Sequence, residues 1–135
     1  MSYPISKIPD IDAAIAVKLK AQRIRTTAKL LESAKDVRGR QALAEKMGVD
    51  ECTVLAWANA ADRMRIKGVG DDYARLLAAV GVTVRELKYR NPKKLAEAMA
   101  KANAEKKISV RFLPSEKAVK KWIERAKTLP LKISY

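Results

Sequence analysis

The sequence predicts an all-α protein, a compact bundle of short helices made of two divergent repeats. Three observations carry this. Ala and Leu dominate an apolar content of 48%, while aromatics make up only 5%. That balance favours closely packed helices over a β-sandwich, which draws on Val, Ile, Tyr and Phe. Helix start and stop signals recur along the chain, and strand-like alternation does not. The chain also aligns with itself. Ile8-Pro9-Asp10-Ile11-Asp12-Ala13-Ala14-Ile15-Ala16 lies over Ile66-Lys67-Gly68-Val69-Gly70-Asp71-Asp72-Tyr73-Ala74 without a gap, with Leu19 on Leu77 and Ile24 on Val82. With short gaps, Leu43-Ala44-Glu45 then meets Leu95-Ala96-Glu97, and Trp57 meets Trp122. The preserved order argues for duplication. It divides the 135 residues into 1–60 and 61–135, small enough that the two are expected to share one core.

In the first copy, helices are expected near 13–22, 27–34, 40–47 and 51–65, with Gly48 ending the third and Asp50 capping the fourth. In the second, Tyr73, Ala74, Leu76, Leu77 and Val80 keep to one broad helical face, and Gly81 is suited to the left-handed conformation that ends it. Thr83 opens a capping box: its hydroxyl accepts from the Glu86 amide, the Glu86 carboxylate reaches back, and Val82 staples against Leu87. Asn91-Pro92 starts the next helix, which sets Leu95, Met99 and Ala102 on one side. Periodicity is lost from Asn103 to Pro114, a loop. Ser115 then caps a last helix that buries Ala118, Val119, Trp122, Ile123 and Ala126 and presents Lys117, Lys120, Lys121 and Lys127. The tail from Leu129 to Tyr135 is apolar enough to dock on the core.

The segment Ile66-Lys67-Gly68-Val69-Gly70 is the sharpest local signal. A turn this tight needs glycines free of Cβ clashes. Val69 anchors it, and a small Ala74 lets two helices approach. Residues Ala61 to Leu77 resemble the helix-hairpin-helix motif, in which an apolar-Gly-apolar-Gly turn joins two short helices. The phrase Met64 to Ala74, with Arg111-Phe112-Leu113-Pro114-Ser115 and Trp122-Ile123 downstream, is similar to an uncharacterised bacterial family of duplicated helix-hairpin-helix proteins. That resemblance spans nearly the whole chain and implies a fold, with no established role.

The motif implies a grip on the DNA backbone without base reading. Amides at the start of the helix after Gly70 receive a phosphate oxygen, and Lys67 and Arg75 add charge. Two features oppose it. In the first copy Asp10 and Asp12 replace the glycines, so that hairpin is expected to have lost its anion site. In the second, Asp71 and Asp72 suit the helix dipole but occupy or repel what would be bound there. The turn therefore has two readings, a phosphate grip or packing alone.

Charge favours a polyanion. The formal net charge is +14, and it is uneven: residues 1–67 carry 13 basic and 8 acidic groups, residues 68–135 carry 16 and 7. Lys88, Arg90, Lys93, Lys94, Lys101, Lys106, Lys107 and Arg111 join the last helix's lysines if that helix packs beside the hairpin. No aromatic is visibly interleaved with them, so duplex contact is preferred to single-strand stacking. The candidate site is Lys67, Gly68, Val69, Gly70 and Arg75 with Lys117, Lys120 and Lys121.

Other chemistry is thinly provided for. The chain has no histidine and one cysteine, Cys52, which rules out an intrachain disulfide, a His-based acid or base and a cysteine-rich zinc site. Cys52 is expected as a small buried residue, Trp57 and Trp122 as core anchors, and the paired aspartates as helix caps. No metal, cofactor or enzyme activity is expected. The N-terminal stretch lacks a signal peptide's apolar core, and no apolar run reaches membrane length, so a cytoplasmic protein is expected. Its partner is nucleic acid, DNA before RNA, or alternatively an acidic protein that meets the basic face as an adaptor.

Overall fold

In the computed structural model, which describes residues 2–108 and 110–135, the regular elements are helices. After a 3-10 turn at Ile5–Lys7 come α1 (Ala13–Ala21), α2 (Thr27–Ser33), α3 (Val37–Met47) and α4 (Glu51–Arg63). Then follow α5 (Gly70–Val80), α6 (Val84–Leu87), α7 (Pro92–Lys106) and α8 (Glu116–Thr128). The chain forms two compact units, Met1–Arg65 with Leu131–Tyr135, and Ile66–Pro130. This division falls five residues beyond the repeat boundary drawn from sequence, and it returns the tail to the first unit.

In the first unit α2 and α3 both pack on α4. Val54, Trp57, Ala58 and Ala61 form the buried face of α4 at helical spacing. Cys52 is exposed, against expectation. Two residues before Val54 is about 200° around the helix, so it lies on the far side from the core. Helix α3 starts earlier than its apolar pattern indicates, because the Asp36 carboxylate accepts from the Gly39 amide at 2.7 Å. Glycine is required at position 39, where a Cβ would lie 2.3 Å from the Ser33 carbonyl oxygen. Asp50 occupies the N-cap position of α4, but its side chain makes no capping hydrogen bond.

Arg40, Asp62 and Arg63 are buried charges in this unit. The Arg40 guanidinium donates to the carbonyls of Ala34 (3.1 Å) and Ser134 (2.7 Å), and its Nε lies 3.9 Å from the Glu51 carboxylate. It thereby closes the end of α2 and pins the tail, whose Ser134 amide donates to Lys35 at 2.8 Å and whose Ile133 is buried. The Tyr135 hydroxyl meets Asn59 Oδ1 at 2.9 Å. Asp62, also buried, pairs with Arg65 at 2.6 Å, yet burial pushes its carboxyl above the usual range because desolvation outweighs the pull of Arg65.

In the second unit α5 packs on α7, and α8 packs on both α6 and α7. Thr83 caps α6 through the Glu86 amide at 3.4 Å, and its hydroxyl donates to the Glu86 carboxylate rather than receiving it at the backbone. Asn91 caps α7 through the Lys94 amide at 3.0 Å. Helix α7 continues past Asn103 to Lys106; the Asn103 carbonyl accepts from the Ile108 amide at 3.3 Å, and its side chain from Val110 at 3.1 Å. A residue expected to begin the loop thus fastens it. Ser109, within that expected loop, lies outside the described residues. Ser115 caps α8 through Ala118 at 3.1 Å, burying Val119, Trp122, Ile123 and Ala126, with Ala118 only half-buried.

Several local features recur in both units. The Ile11 amide donates to Ile8 O at 3.0 Å and the Val69 amide to Ile66 O at 3.1 Å. The Ile24 amide donates to Leu19 O at 2.9 Å and Val82 to Leu77 O at 3.0 Å. Between them stand Arg23 at φ +64° and Gly81 at φ +79°, both left-handed. Trp57 and Trp122 are both buried.

Candidate nucleic-acid interface

The glycine turn owes its shape to its two left-handed residues, Gly68 at φ +94° and Gly70 at φ +61°. Val69 between them is buried, as is Ala74 one turn into α5. Asp10 and Asp12, the first-copy counterparts, are not left-handed. Asp12 instead caps α1, accepting from the Ile15 amide at 2.8 Å. The second turn lies against α8: a Cβ at Gly68 would sit 3.3 Å from both Trp122 Nε1 and Arg125 Nη1. Arg125 donates to the carbonyl of Lys67, and Tyr73 packs on Trp122 with ring centroids 5.1 Å apart.

Lys67 and Gly68 are exposed at the tip, and Lys117, Lys120 and Lys121 are exposed on α8. None of these lysines forms an ion pair among the described residues. Lys117, Lys121 and Arg125 are spaced at one helical turn, a row about 12 Å long that ends at the Lys67 carbonyl. Arg75 is less available, since it pairs with Asp72 at 2.5 Å. Asp71 accepts from the Asp72 amide at 3.1 Å, so one donor at the start of α5 is already met from within the chain. Beside this turn an open cleft of about 300 Å³ is lined by Val69, Asp71, Asp72, Tyr73, Val110, Arg111 and Phe112. Its two carboxylates make it unfavourable for a phosphate.

A family profile described as Domain of unknown function (DUF4332) matches residues 9–129. The chain belongs to the DUF4332 family. No curated protein and no solved structure is significantly similar to it. The match covers both copies of the internal alignment of this DUF4332 chain, apart from Ile8.

Three site features of the DUF4332 chain escaped the sequence reading. Arg125 donates to the hairpin carbonyl of Lys67, a contact that its offset of three residues from Trp122 on α8 does not by itself reveal. Two aromatics do stand among the basic groups: Tyr89 is 78% exposed with Lys88 Nζ 5.2 Å from its ring centre, and Phe112 is 69% exposed with the Arg111 guanidinium 5.4 Å away. The signal was present as Lys88-Tyr89-Arg90 and Arg111-Phe112. The premise that no aromatic is interleaved with the cations is therefore corrected. Among the described residues no group of acidic or cysteine side chains is placed to hold a metal ion, and no helix is long and apolar enough to cross a membrane.

Proposed function

We propose that this chain is a non-catalytic, cytoplasmic protein that binds nucleic acid through its phosphate backbone without reading sequence. Its two halves are read as divergent helix-hairpin-helix repeats. The matching hydrogen bonds at Ile8/Ile11 and Ile66/Val69, and the matched left-handed residues Arg23 and Gly81, support that reading. The observation that carries the function is the seating of Gly68 on Trp122 and Arg125. It joins the exposed hairpin tip, with Lys67, to the helix that presents Lys117, Lys120 and Lys121. With Arg75 and the α5 amides partly engaged by aspartates, these lysines take the larger share of phosphate contact, and Gly68, Val69 and Gly70 hold the tip in place. DNA duplex is the leading ligand. An acidic protein partner is the second reading, favoured by the exposed Phe112 and Leu113 next to Arg111.

Fluorescence anisotropy with a random-sequence DNA duplex across a salt series tests the proposal. Micromolar affinity at low salt that falls steeply with salt is expected, and each lost phosphate contact should lower the log–log slope by about 0.9. Lys67→Glu and Lys120→Glu should each weaken binding on every sequence tried. Absence of binding at low salt would reject the reading.

A further inference from the structure

Tyr89 lies outside the core: among the described residues it is the most exposed large apolar side chain, at 78%. Its backbone is nevertheless firmly held. The Tyr89 and Arg90 amides donate to Glu86 and Leu87 at 3.0 and 3.1 Å, Leu87 is buried, and Asn91 caps the following helix at 3.0 Å. An aromatic ring is thus presented to solvent on a rigid turn, which lowers the entropy lost when a ligand covers it. Around it the sequence reads Lys88-Tyr89-Arg90-Asn91-Pro92-Lys93-Lys94, with Lys93 and Lys94 exposed and no ion pair to any of the four cations among the described residues. Lys88 Nζ stands 5.2 Å from the ring centre, which leaves the opposite π-face to a ligand. The chemistry that meets an open π-face and a row of cations together is a nucleobase on a phosphate chain.

We infer that Tyr89 is a stacking platform for an unpaired base, with Lys88, Arg90, Lys93 and Lys94 holding the adjoining phosphates of a single strand. The inference rests on the nucleic-acid reading above and adds a single-strand site to it, because a duplex keeps its bases stacked on one another and offers Tyr89 nothing.

Anisotropy with labelled twenty-residue oligothymidylate, an abasic strand of equal length and a duplex separates the possibilities. Oligothymidylate should bind at least about fivefold more tightly than the abasic strand, the lower end of stacking on one aromatic. Tyr89→Ala should abolish that margin, Tyr89→Phe should keep it, and duplex affinity should be unchanged in both. Equal binding of the abasic strand, or an intact margin in Tyr89→Ala, would overturn the inference while a bound duplex left the broader proposal standing. Failure of all three nucleic acids to bind at low salt would overturn both.

Discussion

Arg125 of α8 reaches across the second unit to cap the backbone carbonyl of Lys67, 58 residues earlier in the chain. A charged side chain that sequence alone would assign to the solvated basic surface is thereby committed to the shape of the hairpin. Removing it should leave the tip free to move. Arg125→Ala is expected to destabilise the protein by about 1.5 kcal/mol in urea unfolding, the lower end for a hydrogen bond from a charged group, because this one is exposed.

The two glycines of that turn should differ in tolerance. At Gly70 an added Cβ meets nothing within 4 Å, so Gly70→Ala should cost only the left-handed penalty of about 1–2 kcal/mol. Gly68→Ala incurs a similar backbone penalty and also crowds Trp122 and Arg125 at 3.3 Å. Denaturant midpoints should rank Gly68→Ala below Gly70→Ala, with a matching change in Trp122 fluorescence only in the former.

Arg23 offers the reverse experiment. It holds φ +64° where the second unit uses Gly81. Arg23→Gly should raise stability by about 0.5–1 kcal/mol, the strain relieved being partly offset by the greater freedom of glycine in the unfolded chain. Thermal melting of the variant checks this.

Asp62 gives a pH signature. Its folded carboxyl is raised above the ordinary 3.8, so its contribution to stability is fully present below that value and is lost as pH rises through the raised one. Asp62→Asn removes this dependence. Subtracting the variant's stability from that of the native chain across acid to neutral pH should give a difference that declines with rising pH; a flat or rising difference would contradict the assignment.

The tail can be tested by deletion. Without residues 131–135 the buried Ile133 is lost and Arg40 keeps only Ala34 and the distant Glu51. Leaving a buried guanidinium short of partners should cost about 3 kcal/mol. Arg40→Met combined with the deletion should recover part of it, read from denaturant midpoints.

The helical fold was legible because caps and glycine stops act over a few residues: Asn91, Ser115, Gly48 and Gly81 all stand where their side chains or their missing Cβ placed them. What failed depended on distance in space. The helix expected near 40–47 begins at Val37, and Gly39 in its first turn is explained only by the Ser33 carbonyl against it. Asn103 reads as a loop residue until Val110 folds back on its side chain. Nothing local marks Arg40 for burial, since its partner Ser134 lies 94 residues away. At the candidate site the glycines were readable and the basic helix was readable, but their contact through Trp122 and Arg125 was not, since no local pattern encodes which face of α8 meets the turn.

The return of Ser134 to Arg40 also sets an order of events. During synthesis the first unit is complete in sequence up to Arg65 long before Leu131–Tyr135 is made, and the whole of Ile66–Pro130 is made in between. Until then the Arg40 guanidinium has no Ser134 carbonyl to meet. Of the two units, the one whose chain begins first is finished last.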